Sequence, residues 1–374
     1  MPLLSIFRFL FTLLSWFILA GAVYLLWRYW EGTVAVDADG RETLIREPWM
    51  LLLGLGLGAW SFLGKFFWNT VLAWPSDEPR PSHVKGAALP GADGASLHVE
   101  TAGKADGPVL LLTHGAGMDS TIWFLAKRDL GDRFKLVTWD LPGLGKSKAR
   151  KIDLESYAEN LLVVVKSIGK PVVLVGHSMG GMTIQTLARR HPEVFGTTVV
   201  GTILLNTTHT NPLKTMILSG LAQALQPLLR LAFWLEAMLF PLAWLSTWQS
   251  YLSGSAHIAN RLTFGRGVTC RQLDHVALLG TRNSPASIAR GNLAMFDWDA
   301  TGAIATLTEP VQIIAGDGDI VTKPEASETI ASTAVAPELH RIESANHMSF
   351  LDHSTEYHRR IADYAGRAFA RAGQ

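Results

Sequence analysis

The sequence predicts an α/β protein: a mostly parallel sheet with helices on both faces, interrupted by a helical cap and preceded by a transmembrane helical hairpin. Three observations lead to this fold class. Short aliphatic runs alternate with helical periodicity after residue 90, two long apolar stretches lie before residue 75, and one aliphatic run ends in Gly176-His-Ser-Met-Gly180. Alternating strands and helices are typical of a parallel sheet that helices cover on both sides.

Composition narrows the class of protein. The chain has 374 residues, of which 48% are apolar, a high fraction for a purely soluble protein. Its formal net charge of +1 gives no electrostatic reason to expect a nucleic acid as a partner. Cys270 is the single cysteine, so no intrachain disulfide can form. No cluster of Cys and His has metal-ligand spacing, and the sequence predicts neither a metal nor a cofactor.

Residues 1–75 are expected to form a membrane hairpin. Phe9 to Trp27 carries no charged side chain and is about long enough to cross a bilayer. A second apolar block runs from Trp49 to Trp74 and is interrupted only by Lys65. Between the two blocks, residues 33–45 alternate around an Asp-Gly pair, a pattern that predicts a short extramembrane β-ribbon.

A secretory signal is the alternative for the first block, because Arg8 precedes the apolar run and Ala20-Gly-Ala22 resembles a cleavage site. The apolar run continues beyond this point, which favours a span.

Sidedness follows from the basic groups on the two sides of the hairpin, and those on the side of the chain termini slightly outnumber those in the connecting loop. The groups compared are the N-terminal amine, Arg8, Lys65, Arg80 and Lys85 against Arg28, Arg41 and Arg46. This predicts a cytoplasmic C-terminal domain.

Residues 76–89, rich in proline and charge, are expected to be a linker. The α/β core then occupies 90–209 and 301–374, and residues 210–300 form the cap. The expected strands are 96–100, 108–113, 135–139, 172–175, 198–205 and 310–315, with helices over 154–168 and 182–190.

The strand that begins after Pro171 leads directly into Ser178. A Gly-x-Ser-x-Gly turn between a strand and a helix is a nucleophile elbow, which holds the serine hydroxyl clear of the sheet. The backbone N–H of the next residue, Met179, is then directed at a developing oxyanion.

The chain resembles the α/β-hydrolase family over roughly residues 90 to 370. The resemblance rests on four features in family order: His114-Gly-Ala-Gly117, Asp140-Leu-Pro-Gly-x-Gly-x-Ser147, the elbow at 176–180, and the late segments 311–324 and 343–352. It implies a catalytic triad of Ser178, Asp319 and His347, with Asp317 as the alternative acid. It also implies that the N–H of Ala116 joins that of Met179 in an oxyanion hole. His114 and His177 are expected to support the site without taking part in the chemistry.

The cap is unusually apolar. From Thr215 to Asn260 only Arg230 and Glu236 are formally charged, and ten of the 13 tryptophans lie either in this segment or before residue 75. The simpler interpretation is that the cap helices cover the active site and pack on the core. The alternative, favoured by the hairpin, is that part of the cap enters the bilayer as a monotopic element.

Together these features predict a membrane-anchored serine hydrolase that cleaves lipophilic carboxylic esters, such as a monoacylglycerol, through an acyl-enzyme. Its expected partners are a lipophilic ester substrate and membrane lipid. Thioester hydrolysis, acyl transfer and C–C hydrolysis are alternatives, because the same triad supports them. A membrane-bound interaction module is the alternative from a different class, and the intact triad argues against it.

Overall fold

The computed structural model describes residues 2–373, with side chains from Phe9 onward. The chain begins with two long helices, α1 (Pro2–Glu31) and α2 (Pro48–Leu72). They are joined by an antiparallel ribbon of β1 (Thr33–Val36) and β2 (Glu42–Ile45). The two helices pack antiparallel, and the absence of a side chain at Gly54 lets Leu26 come close to α2.

Both helices expose apolar side chains along most of their length. Phe17 and Leu52, for example, are 71% and 70% exposed. By length and composition, Phe9–Glu31 and Pro48–Leu72 can each cross a membrane. The N-terminal amine and the Arg8 side chain, which enter the expectation on sidedness, lie outside the described side chains.

An eight-stranded sheet forms the centre of the remaining chain. Its strands are β3 (Gly86–Pro90), β4 (Ser96–Gly103), β5 (Val109–Thr113), β6 (Lys135–Trp139), β7 (Val172–His177), β8 (Val199–Leu205), β9 (Val311–Gly316) and β10 (Pro337–Ile342). The order across the sheet is β10-β9-β8-β7-β5-β6-β4-β3. Strands β5 to β10 are parallel, and β3 and β4 add an antiparallel edge.

Helices cover both faces of this sheet, which explains why β5, β7 and β9 are buried at every position. Helices α4 and α5 pack on one face, while α3 and α15 pack on the other. The helices outside the cap are α3 (Phe124–Leu130), α4 (Leu154–Ile168), α5 (Met179–Arg190), α13 (Pro324–Thr333), α14 (Ser349–Asp352) and α15 (Ser354–Ala372). The prediction of an α/β fold with a mostly parallel sheet is confirmed.

Seven helices are inserted between β8 and β9. They are α6 (Pro212–Thr215), α7 (Ser219–Ala224), α8 (Gln226–Met238), α9 (Phe240–Leu252), α10 (Ser255–Arg261), α11 (Cys270–Arg282) and α12 (Pro285–Met295). Pro227 and Pro241 lie in the first turns of α8 and α9, where a missing N–H costs no helical hydrogen bond. These two helices meet at 101°, so they do not form one straight crossing.

The N-terminal hairpin packs directly on this insertion, through α9, α10 and α11. A Cβ at Gly64 of α2 would overlap the backbone of Ser253, so the two segments are in very close contact. Trp16 donates to Ser246 Oγ at 3.2 Å, and Lys65 Nζ donates to the Tyr251 hydroxyl at 3.2 Å. The hairpin and the cap therefore form one continuous apolar body, which sequence reasoning did not predict.

The structure differs from the sequence prediction at the two edges of the sheet. Residues 86–89 were expected to belong to the linker, but they form most of β3 (Gly86–Pro90). β10 was not predicted. Both are short edge strands with mostly exposed or half-buried positions, and neither has the continuous aliphatic pattern that marks a central strand.

Candidate active site

Ser178 lies on the sharp turn between β7 and α5. Its backbone has φ of 52° and ψ of −118°, a conformation that residues other than glycine rarely adopt. The turn is tight because Gly176 approaches the backbone of Gly180 so closely that a Cβ there would lie 2.6 Å from it. The Ser178 hydroxyl is therefore held at the carboxyl edge of the sheet by the backbone itself.

His347 reaches Ser178 from the loop between β10 and α14. Ser178 Oγ lies 3.1 Å from His347 Nε2, which places the hydroxyl in position to donate its hydrogen to the imidazole. The imidazole is fully buried. Asn346 fixes the loop, because its side-chain oxygen accepts from the N–H of His347 and its Nδ2 donates to the carbonyl of Leu262 in the cap.

Asp319 follows β9 and lies on the far side of the imidazole. His347 Nδ1 is 2.9 Å from Asp319 Oδ2, and the N–H groups of Val321 and Thr322 donate to Oδ1 at 2.7 and 2.9 Å. Burial alone would raise the pKa of the Asp319 carboxyl. The attraction of His347 and these hydrogen bonds outweigh burial and lower the pKa below its ordinary value. Asp319 is therefore a buried carboxylate, whereas the side chain of Asp317 is exposed.

Two further polar side chains hold this carboxylate and a third supports one of them, and the sequence motifs do not identify these roles. Thr322 Oγ1 donates to Asp319 Oδ2 at 2.9 Å, and Asn206 Nδ2 donates to the same oxygen at 3.1 Å. The Tyr357 hydroxyl in turn donates to Asn206 Oδ1 at 2.7 Å. Asn206 directly follows β8. A polar side chain at the carboxyl end of a strand that neighbours β9 is the signal that could have identified it.

Ala116 and Met179, the predicted oxyanion donors, lie next to Ser178. Met179 is the first residue of α5, where a backbone N–H has no acceptor inside the helix. Ala116 lines the cavity beside Ser178. Within residues 2–373, neither N–H donates to a protein acceptor. Both are therefore available to an oxygen bound in the cavity.

The two neighbouring histidines have structural contacts of their own. His114 Nε2 accepts from the N–H of Leu141 at 3.0 Å, and its Nδ1 donates to the carbonyl of Gly115 at 2.8 Å. His177 Nε2 donates to the carbonyl of His347 at 3.0 Å. Burial lowers the pKa of both imidazoles, and for His177 the nearby His347 lowers it further. Both side chains are therefore neutral groups that support the surrounding loops.

A small cavity opens at the Ser178 hydroxyl, between the sheet and the cap. It is lined by Ala116, Ser178, Met182, Pro212, Met295, Val321 and Thr322. Pro212 and Met295 belong to cap helices, and the free space is hardly larger than a water molecule. A substrate much larger than water therefore requires the cap to move.

The arrangement can move one proton along a defined path. The Ser178 hydroxyl can pass its proton to His347 Nε2 as its oxygen attacks an electrophilic carbon, and Asp319 holds the opposite nitrogen as the donor. The two free N–H groups can receive the negative charge that such an attack creates.

Comparison with known proteins gives a consistent set of relatives. A model of the alpha/beta hydrolase family matches residues 109–360. The chain is 27% identical over 259 residues to a pimeloyl-[acyl-carrier protein] methyl ester esterase of Aromatoleum aromaticum, covering 66% of this chain and 93% of that protein. It is 28% identical over 289 residues to the protein of the same name from Stenotrophomonas maltophilia, covering 74% of this chain and 100% of that protein.

Solved structures share the fold at low sequence identity. An esterase from Exiguobacterium antarcticum has a TM-score of 0.62 at 19% identity and covers 75% of this chain and 100% of its own. A bacterial membrane phospholipase A has a TM-score of 0.57 at 19% identity and covers 86% of this chain and 97% of its own. At these identities the likeness is one of fold alone.

Proposed function

Because the chain belongs to the alpha/beta hydrolase family, we propose that it is a serine hydrolase in which Ser178, His347 and Asp319 cleave carboxylic esters. The curated relatives support ester hydrolysis by an alpha/beta hydrolase. The observation that carries the proposal is the connected geometry of the site. Ser178 Oγ is 3.1 Å from His347 Nε2, and His347 Nδ1 is 2.9 Å from Asp319 Oδ2.

In the first half of the reaction, Ser178 Oγ attacks the ester carbonyl while His347 Nε2 takes its proton. The carbonyl oxygen becomes an oxyanion, which the N–H groups of Ala116 and Met179 stabilise. Asp319 keeps Nδ1 of His347 protonated and stabilises the imidazolium that forms. His347 then gives its proton to the leaving alcohol, and the acyl group remains on Ser178.

In the second half, a water molecule enters beside the acyl-enzyme. His347 takes a proton from this water, whose oxygen attacks the acyl carbonyl, and the same oxyanion hole receives the charge. Collapse of the intermediate releases the carboxylic acid and returns the proton to Ser178. This reaction requires no cofactor, because each proton transfer uses the same imidazole of His347.

The proposed anchor is the α1–α2 hairpin, crossing the membrane with its ribbon on the far side. Two antiparallel apolar helices of 23 and 25 residues satisfy the length that a bilayer requires. The slight excess of basic groups on the side of the chain termini favours a cytoplasmic hydrolase domain.

The cap is proposed to lie in the leaflet on the side of the hydrolase domain. Gly64, which touches Ser253 of the cap, is about 12 Å from the end of α2 at 1.5 Å per residue. If α2 spans the bilayer, the adjoining cap lies within the depth of that leaflet. Its outer surface is consistent with this position, because Leu228, Leu231 and Trp234 of α8 are 60%, 52% and 53% exposed.

This position suggests a lipophilic substrate. A water-filled route to Ser178 would favour small soluble esters, whereas a cap in contact with lipid can pass a long-chain ester from the membrane to the cavity when it opens. We therefore favour lipid esters, such as a monoacylglycerol, as the substrate class. Thioester hydrolysis, acyl transfer and C–C hydrolysis remain the alternatives, because the same triad supports them.

A series of p-nitrophenyl esters from acetate to palmitate tests the proposal on the full-length protein in detergent. We expect activity to rise toward medium and long chains and Ser178→Ala to reduce turnover by at least about 10⁴-fold. Activity confined to acetate would contradict a lipid substrate while leaving the serine mechanism in place. Turnover that Ser178→Ala leaves unchanged would contradict the mechanism itself.

A further inference from the structure

A second cluster of histidine and carboxylate side chains lies away from Ser178. Within residues 9–373, one group of three His, Cys, Asp or Glu side chains brings its ligand atoms within 4.8 Å of one another: His83, His98 and Glu100. No step of the proposed ester hydrolysis uses these residues.

The three side chains come from two separate segments. His98 and Glu100 are two positions apart on β4, so they project from the same face of the strand. His83 comes from the linker that leads from α2 to β3. The Glu100 side chain is fully buried, while those of His83 and His98 are 20% and 14% exposed, so a small ion can reach the cluster from solvent.

The ligand atoms converge on one point. Glu100 Oε1 lies 2.6 Å from His83 Nδ1 and 3.0 Å from His98 Nε2. Ligand atoms around a tetrahedral zinc stand roughly 3.3 Å apart, given bonds of about 2.0 Å. Glu100 Oε1 thus lies close to the ligand spacing from each histidine nitrogen, and all three atoms lie within 4.8 Å of one another. His83, on an irregular linker, is the side chain best able to shift and admit an ion.

The surroundings match those of a metal site. Lys127 Nζ holds the other Glu100 oxygen at 2.7 Å, which orients the carboxylate. Asp119 Oδ2 is 3.8 Å from His83 Nε2, the ring nitrogen that faces away from Glu100. Metal-bound histidines characteristically direct their second nitrogen at a carboxylate. Histidine ligates a metal as the neutral imidazole, and with both imidazoles in that form the two carboxylates outnumber the one lysine and leave a negative charge for a cation to neutralise.

We propose that His83, His98 and Glu100 bind a divalent transition-metal ion, with Zn²⁺ the best match to two imidazoles and one carboxylate. A water completes the coordination. The ion joins the linker to β4 and thereby fixes the hydrolase domain relative to the membrane hairpin. Sequence reasoning predicted no metal because the ligands have no recognisable spacing: His83 lies outside the strand that carries the other two. The proposal does not depend on the proposed esterase activity.

The test uses full-length protein in detergent, stripped of metal with a chelator and titrated with Zn²⁺ against a chromophoric zinc chelator. We expect one Zn²⁺ per chain. His83→Gln and Glu100→Gln should each weaken binding by at least about tenfold. His83→Gln is the safer variant, because its partly exposed side chain lies on the linker and contributes little to the core. His191→Gln is the matched control, since His191 also contacts a carboxylate, at 3.1 Å from Glu159 Oε1, but has no second histidine beside it.

Trypsin cleavage after Lys85 gives a readout independent of affinity. Lys85 is exposed and lies two residues from His83, whereas Arg80 precedes a proline and resists trypsin. Zinc should slow this cleavage in the wild type and in His191→Gln, but not in His83→Gln. The proposal is overturned if the wild type takes up no stoichiometric zinc, or if His83→Gln binds zinc as tightly as the wild type. The cluster would then only join the linker to β4 by hydrogen bonds, without a metal.

Discussion

The carboxyl edge of the sheet differs from the apolar body formed by the hairpin and cap in what it buries and what it exposes. At the sheet edge, buried polar groups find partners inside the protein, and Asp319 alone accepts hydrogen bonds from His347, Thr322, Val321 and Asn206. In the apolar body, large side chains such as Leu242 and Trp30 are 63% and 76% exposed. The polar groups of the first region are paired within the chain, while the second leaves large apolar side chains exposed on its surface.

The largest loss of activity should follow a change at Asp319, the carboxylate at the sheet edge. Asp319→Asn removes the carboxylate that orients His347 and is expected to lower kcat by about 10⁴-fold. Asp317→Asn is the matched control, two residues away with its side chain exposed, and should stay close to wild type. Steady-state kinetics on one ester measures both. A larger loss in Asp317→Asn than in Asp319→Asn would show that the wrong carboxylate was assigned.

Asn206 tests how far the preorganised network extends. Asn206→Ala removes one donor to Asp319 and leaves the Tyr357 hydroxyl without its acceptor, so we expect kcat to fall by about tenfold with little change in KM. Tyr357→Phe leaves the Asn206 donor in place and should have a smaller effect. Equal kcat values in the wild type and Asn206→Ala would mean that Asp319 needs no support from β8.

The apolar body can be examined with a polarity-sensitive label. In a Cys270→Ser background, a label at Leu242→Cys on α9 should shift its emission to the blue in liposomes and be quenched by spin-labelled lipids. Val335→Cys is the matched control, because Val335 is 66% exposed against 63% for Leu242 but lies on the hydrolase domain. Identical emission from the two labels would place the cap in water.

The smallest effect concerns acid stability. The folded-state pKa of Asp319 is lowered, so its carboxylate stabilises the fold above the unfolded pKa of about 3.9, and this contribution is lost as pH falls through and below that value. The Tm of the wild type should therefore fall more than that of Asp319→Asn between pH 5 and pH 3.5. Parallel Tm curves over this range would show that Asp319 does not contribute to the pH dependence.

The sequence predicted the central strands to within two residues, because β5 to β9 carry aliphatic runs bounded by turn residues. The edge strands β3 and β10 escaped prediction, since half-exposed strands lack that pattern. Helix α5 begins at Met179 and not at Met182 as expected, because the elbow turns directly into the helix.

The order of motifs placed Ser178, Asp319 and His347 on the elements that the structure brings together. The groups that hold Asp319 could not be found in this way. Asn206 reaches Asp319 because β8 lies beside β9, and Tyr357 of α15 reaches Asn206 across the fold, a tertiary arrangement that the order of motifs does not show. The contact between Gly64 and Ser253 has the same origin, since it joins two segments that lie far apart along the chain.

The proposed hydrolysis depends above all on Ser178 being an activated nucleophile. Its most direct test is to treat the folded full-length protein with a fluorophosphonate and locate the adduct by peptide mass spectrometry. We expect one phosphonylated residue, Ser178, with labelling lost in Ser178→Ala and strongly slowed in His347→Ala. Absence of an adduct in folded protein, or an adduct on a different serine, would contradict it.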